Sequence, residues 1–329
     1  MKNNRRMSAF SLIEISIVIL IIGILVAGVT QSSRLLSQAK LSSAKSMTRS
    51  APVSSIKNLA LWIESTSDAS FQSSDLDDAT AITTWNDINP QATLKASFTV
   101  TGTSTPIYRT NLINGLPAVC FNSTANCGTG TGTTNSLSSA NFSNISAGST
   151  VFAVVKLPNT LAAEPILSKR IVTSAFSAAS SANIQLNTTA AGEWQYCDGA
   201  TQSGNNVTCT LGSGLATASV PVGATKGIYA VSLVYNAGPS TAAGTTATGV
   251  TFFQNGAAGT QGNTASTPSI SVTDPLLVGK TSTSDAAVYF KGYIGEIIIF
   301  DRALKKEERQ SIEKYLGEKW GITMTTAAI

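Results

Sequence analysis

The sequence predicts an α+β protein: one long N-terminal helix, then a mainly antiparallel β-sandwich, then a short C-terminal helix. Three observations carry that prediction. Phe10 to Val29 is a nearly unbroken apolar run holding a single carboxylate, Glu14. From Leu59 onward, short β-prone runs alternate with turns rich in Gly, Asn and Ser. Only Lys305 to Gly317 then reads as a further substantial helix.

The first element is read from length and charge. An apolar span of about 20 residues is long enough, as a helix, to cross a bilayer. The nine residues before it include Lys2, Arg5 and Arg6 and no acid, which places them on the cytoplasmic side. A secretory signal peptide would share that head, and Ala27 and Gly28 would then mark its cut. The length of the run, the acid within it and its helix-compatible continuation argue against that reading. Beyond the span, Leu35, Leu36, Ala39, Leu41, Ala44 and Met47 form an apolar stripe, and Pro52 supplies a stop. A helix from Phe10 to Arg49 would be roughly 60 Å long. A carboxylate in hydrocarbon is costly and needs a partner, so Glu14 is the first candidate functional residue.

The order Ala9, Phe10, Ser11, Leu12, Ile13, Glu14, Ile15 resembles the N-terminus of type IV prepilins and type II secretion pseudopilins. The resemblance implies cleavage between Ala9 and Phe10 by a prepilin peptidase, methylation of the new amine, and residence in the inner membrane before assembly. Ala9 stands where most members have Gly. The resemblance also implies other pilin subunits and the inner-membrane assembly machinery as partners. Glu14 would pair with the Phe10 ammonium of a neighbouring subunit and set axial register, because an apolar surrounding punishes either charge alone.

The formal charge of the whole chain is +4, and loss of the three positive charges of the leader leaves +1. With no arginine-rich stripe and scattered aromatics, nucleic acid is not an expected partner. About 270 residues follow the helix, enough for one large core. Their β-prone runs are Thr150 to Leu157, Asn183 to Leu186, Gly227 to Tyr235, Val250 to Asn255, Leu276 to Gly279 and Tyr289 to Phe300. The four cysteines are Cys120, Cys127, Cys197 and Cys209. In an exported domain, Cys120 with Cys127 and Cys197 with Cys209 are the simplest of the three connectivities. A zinc site fails on spacing and on the absence of histidine.

Two stretches carry a second resemblance. One runs from Leu59 through Trp62, Trp85 and Cys120 to Leu157. The other comprises LLVGK at Leu276 to Lys280 and the segment Tyr289 to Ile322. Together they resemble the concanavalin A-like, laminin-G-type jelly roll. The implied organisation is a leader at 1–9, an assembly helix at 10–51, a linker at 52–58, a jelly-roll head at 59–322 and a tail at 323–329. Leu304, Ile312, Tyr315, Leu316 and Trp320 would dock the last helix against an end of the sandwich. Trp62, Trp85 and Trp320 read as core residues. Trp194 and Tyr196, beside Cys197, are the candidate ring platforms for a sugar at a rim, although packing behind a disulfide loop accounts for them equally. Calcium is a cofactor possibility inherited from jelly-roll lectins, with Asp75, Asp77, Asp78 and Asp87 as oxygen donors; a solvated acidic turn is the competing reading.

The functional expectation is a subunit of a type IV pilus or similar filament, displaying a β-sandwich head outside the cell. The alternatives are a minor pilin whose head binds a glycan or a surface, and a type II secretion pseudopilin. Catalysis is not expected. Glycoside hydrolysis needs two carboxylates facing each other across a groove, whereas Glu193 and Glu296 stand isolated in the sequence.

Overall fold

The computed structural model describes residues 11–101, 104–121, 134–145, 148–157, 164–171, 181–188, 194–197, 215–218, 227–236, 248–264, 272–281 and 288–325. In chain order, α1 (Leu12–Arg49) is followed by β1 (Leu59–Glu64), β2 (Thr80–Ala81), β3 (Thr84–Trp85), β4 (Phe98–Val100), β5 (Ile107–Ile113) and β6 (Leu116–Phe121). Then come β7 (Leu137–Ser139), β8 (Gly148–Leu157), β9 (Pro165–Ile171), β10 (Ser181–Thr188), β11 (Trp194–Cys197) and β12 (Leu215–Ala218). The last elements are β13 (Gly227–Asn236), β14 (Thr248–Gln254), β15 (Ala257–Thr264), β16 (Leu276–Val278), β17 (Gly292–Phe300) and α2 (Lys306–Trp320).

Among the described residues these strands form two separate antiparallel sheets. The nine-stranded sheet runs β15-β14-β13-β8-β17-β6-β5-β2, with β1 also paired to β17. The eight-stranded sheet runs β12-β11-β10-β9-β16-β7-β4-β3. One apolar core lies between them: Leu61, Ile63, Val151, Ala153, Ile297 and Ile299 from the larger sheet join Trp85, Phe98, Ile184, Leu186 and Trp194 from the smaller. A second core lies on the outer face of the larger sheet, where Trp62, Phe152, Val154, Ile298 and Phe300 meet Ala44, Ile312, Leu316 and Trp320. The layers are therefore helix, sheet and sheet. This explains why β8 and β17 read as nearly continuous apolar runs, since both of their faces are covered.

The helices follow from their ends and their faces. The backbone N–H of Ser11 donates to Glu14 Oε2 at 2.9 Å, so the acid satisfies one of the free amides at the start of α1. Only the last turns of α1 dock: Ala44 and Thr48 are buried and Met47 is partly so, whereas Leu35 and Leu36 remain exposed. The expected stripe thus divides, because the sheet extends beneath its upper part alone. The apolar side chains from Leu12 to Val26 are also exposed. The second helix buries Ile312, Tyr315, Leu316, Lys319 and Trp320 and stops at Gly321, whose φ of 62° is the left-handed conformation that suits glycine at a helix end.

These findings correct the sequence reading. Among the described residues, no helix is long and apolar enough to cross a membrane. The pilin resemblance, the membrane-spanning assembly helix and the inner-membrane stage built on that span are corrected with it. The expected jelly-roll head carried on a pilin helix is replaced by an α+β fold of two separate antiparallel sheets. Nor does the C-terminal helix cap an end of the sandwich; it lies on the outer face of the larger sheet.

Candidate functional site

A groove lies between α2 and the β14–β15 hairpin. It encloses about 620 Å³, within the range of small-molecule sites. Val234, Thr251 and Phe253 form its floor, Ala257 and Ala258 one rim, and Leu304 with Lys306, Arg309 and Gln310 of α2 the opposite wall. Alternation along β14 produces the floor: Val250 and Phe252 point into the inter-sheet core, so Thr251 and Phe253 point to the helix side. The Arg309 guanidinium lies 3.5 Å from the centroid of the half-buried Phe253 ring. It is held there by Glu313, at 2.5 Å to each carboxylate oxygen, and Glu313 in turn accepts from Ser232 Oγ at 2.5 Å. The wall is pre-set, since Arg309 and Glu313 are both buried and each satisfies the other.

The far end of α2 is pinned by a buried charge cluster. Glu64 and Glu296 sit opposite each other in the β1–β17 register, an unfavourable pairing unless a cation intervenes. Lys319 Nζ supplies it, donating to Glu64 Oε2 and Glu296 Oε2, each at 2.9 Å. Glu296 also accepts from Trp62 Nε1 at 2.8 Å, Tyr315 Oη at 2.9 Å and Trp320 Nε1 at 2.8 Å. A shift in register between Ile294 and Glu296 places this acid on the helix side. Such a bulge re-aims side chains without ending the strand. Gly295 is required there, because a Cβ would stand 2.7 Å from the Trp320 ring. Burial works against the Lys319 charge, but Glu296 and Glu64 outweigh it and hold its pKa well above the ordinary value. Burial, then the Glu296 charge, pushes the Tyr315 hydroxyl well up.

The residues named from the sequence lie elsewhere. Ala9 and Phe10 are outside the described residues, so the processing site is too. Glu14 caps its own helix. Cys120 is buried and disulfide-bonded; Cys127, Cys209 and the side chain of Cys197 lie outside the description, and the expected pairings fall on them. Trp194 and Tyr196 are fully buried in the inter-sheet core rather than at a rim. The first donates to Gln254 Oε1 at 2.8 Å, and the second packs on Tyr235 with ring centroids 5.5 Å apart.

Three of the four aspartates spend their carboxylates on nearby donors. Asp75 is buried and accepts from the Thr83 amide and hydroxyl at 2.9 Å and from Ser74 Oγ at 2.9 Å. Burial alone would raise its carboxyl, but these donors hold it below the ordinary value. Asp78 accepts from Thr110 and Arg109, and Asp87 from the amides of Trp62, Asn89 and Ala96. Asp77 is exposed. Among the described residues, no three His, Cys, Asp or Glu side chains come together in a way that could hold a metal ion. Sequence reasoning missed the cluster instead, treating Glu296 as isolated. The available signal was a lone carboxylate in each of two apolar runs, LALWIE and GYIGEIIIF.

No protein-family model matches the chain. No curated protein matches it either. Solved structures overlap it at low identity. Domain 4 of a GH43 extracellular arabinanase from Geobacillus stearothermophilus, in complex with arabinotriose, is 15% identical with a TM-score of 0.42, covering 78% of this chain and 97% of that one. Trypanosoma rangeli sialidase in complex with sialic acid is 10% identical at 0.41, covering 80% of this chain and 33% of that one. A sialidase CBM40 from Ruminococcus gnavus, bound to α2,6 sialyllactose, is 16% identical at 0.38, covering 52% and 83%. At these scores the overlaps carry no argument about ligand or reaction. The exclusion of catalysis drawn from the sequence is corrected in that it is not carried forward. The expectation of a filament subunit assembling through its N-terminal helix is likewise corrected, because among the described residues no membrane-spanning helix is present.

Proposed function

We propose that the described domain binds carbohydrate in the groove between α2 and the β14–β15 hairpin. The observation that carries this reading is the composition of the groove: an apolar floor with a half-buried ring, Phe253, beneath polar groups from Thr251, Lys306 and Gln310. A sugar ring offers the complementary surface, with C–H faces that pack on apolar side chains and hydroxyls that need hydrogen-bond partners. The locked Arg309–Glu313 pair keeps the wall from reorganising on binding, which reduces the ordering cost of association.

Isothermal titration of the full chain tests the reading. Arabinotriose and sialyllactose, the sugars held in two of the overlapping structures, serve as probes beside a wider oligosaccharide panel. Saturable binding by at least one sugar is expected. Gln310→Ala, which leaves the Arg309–Glu313 pair intact, should weaken it by about tenfold, equivalent to about 1.4 kcal/mol. Failure of the whole panel to bind, or binding unchanged in Gln310→Ala and in Phe253→Ala, overturns the reading.

A further inference from the structure

Lys319, Glu64 and Glu296 meet in a compartment closed to solvent, with Trp62, Trp320 and Tyr315 around them. The side chains of Lys319 and Glu64 are fully buried and that of Glu296 is 1% exposed. The two carboxylates differ sharply in how they are satisfied. Glu296 has donors on both oxygens, as described above. Glu64 receives three donors on Oε2: the Thr66 amide and hydroxyl, each at 2.6 Å, and Lys319 Nζ at 2.9 Å. Its other oxygen, Oε1, is buried and has no donor. A buried carboxylate oxygen without a partner is costly, and such groups call for an explanation.

We propose that Lys319 and Glu64 form an intramolecular amide cross-link, joining α2 to the end of β1. Each group needed for the condensation is in place. The step proceeds from the form reached when the resting ion cluster takes up one proton, on Oε1 of Glu64, with Lys319 as ammonium and Glu296 as carboxylate. Lys319 passes a proton to Glu296 along their 2.9 Å hydrogen bond, and the freed Nζ lone pair attacks Cδ of Glu64. Negative charge then develops on Oε2, where the Thr66 amide and hydroxyl already point, the arrangement that stabilises a tetrahedral oxyanion. Glu296 returns its proton to Oε1, which departs as water, and takes up the remaining surplus proton from nitrogen. One C–N bond forms and one C–O bond breaks. The products are a neutral amide, one water and Glu296 in its acid form, so no oxidant or reductant is involved.

Proximity and dryness favour the reaction. The reacting groups are held in hydrogen-bond contact by two strands and a helix, which removes the entropic cost of bringing them together. Charges buried without solvent are expensive, and the condensation leaves none in the compartment. The carbonyl oxygen of the product keeps both Thr66 donors, and the unpartnered Oε1 is gone.

Intact-mass measurement of the full chain, purified in its disulfide-bonded form and then reduced, decides the matter without any substitution. The expected mass is lower than that of the linear sequence by one water, and tandem fragmentation after proteolysis should recover a branched peptide joining Lys319 to Glu64. Glu296→Gln, which keeps the shape but cannot accept the proton, should show the linear mass, as should Lys319→Arg. A wild-type chain of linear mass, or water lost at any other position, overturns the proposal. A cross-link that persists in Glu296→Gln overturns the proton-carrying role on which the step depends.

Discussion

Glu164 makes stability depend on pH in a direction opposite to that of most carboxylates. It precedes β9 and is 6% exposed, and Oε2 accepts from the Lys291 amide at 2.9 Å. Burial pushes its carboxyl up to about 7, against a smaller downward pull from the Lys291 amide and charge. Below about pH 4.5 both the folded and the unfolded chain hold the proton, and the site is neutral in its effect. As pH rises, the unfolded chain releases the proton first, so the folded state loses stability until its own carboxyl ionises near 7. The movement from 4.5 to about 7 corresponds to roughly 3 kcal/mol at about 1.36 kcal/mol per unit. Glu164→Gln keeps a carbonyl oxygen for the Lys291 amide and never ionises. Urea unfolding followed by tryptophan fluorescence, from about pH 4 to about pH 8, should show the variant gaining on the wild type by roughly 3 kcal/mol across that interval. A constant offset between the two curves would come from the new amide group and is irrelevant; parallel curves through the interval would refute the reasoning.

Two further predictions concern α2. Arg302 donates to both oxygens of Glu308 at 2.8 Å, which holds that carboxyl at about 2 despite some burial. The pair should therefore stabilise the fold above about pH 4.5 and cease to do so as pH falls toward 2; at nearly one-third exposure its worth is at most about 1 kcal/mol, and a Glu308→Gln deficit that persists unchanged at pH 2 would contradict it. Gly295→Ala places a methyl group 2.7 Å from the Trp320 ring and should cost about 1–3 kcal/mol in thermal unfolding, with a changed near-ultraviolet tryptophan signal; an unaltered melting curve would mean that α2 does not seat there.

The local pattern located many elements. The runs expected at Thr150 to Leu157, Gly227 to Tyr235 and Tyr289 to Phe300 coincide with β8, β13 and β17 to within a few residues. The helix expected at Lys305 to Gly317 starts one residue later and continues to Trp320, because Gly321 rather than Gly317 takes the left-handed turn. Functional residues were much less legible. Trp194 and Tyr196 sit among polar residues in sequence, yet β11 carries both into the inter-sheet core. The acidic run from Asp75 to Asp78 suggests a ligand set, yet the turn spends its oxygens on its own backbone and on Arg109 and Thr110.

By itself the sequence determined where periodicity changes, where helices can begin and stop, and that the given chain holds no histidine. Those properties depend on residues within a few positions of one another. Only the tertiary structure decided that Lys319 meets Glu64 across 255 residues and that a bulge turns Glu296 toward both. Only it decided, too, that the apolar run near the N-terminus does not, among the described residues, amount to a membrane-spanning helix. The physical reason is that a strand covered on both faces loses the alternation that would say which side is which. A lone charge in an apolar segment announces that it has a partner, but the partner's identity is set by which elements pack together.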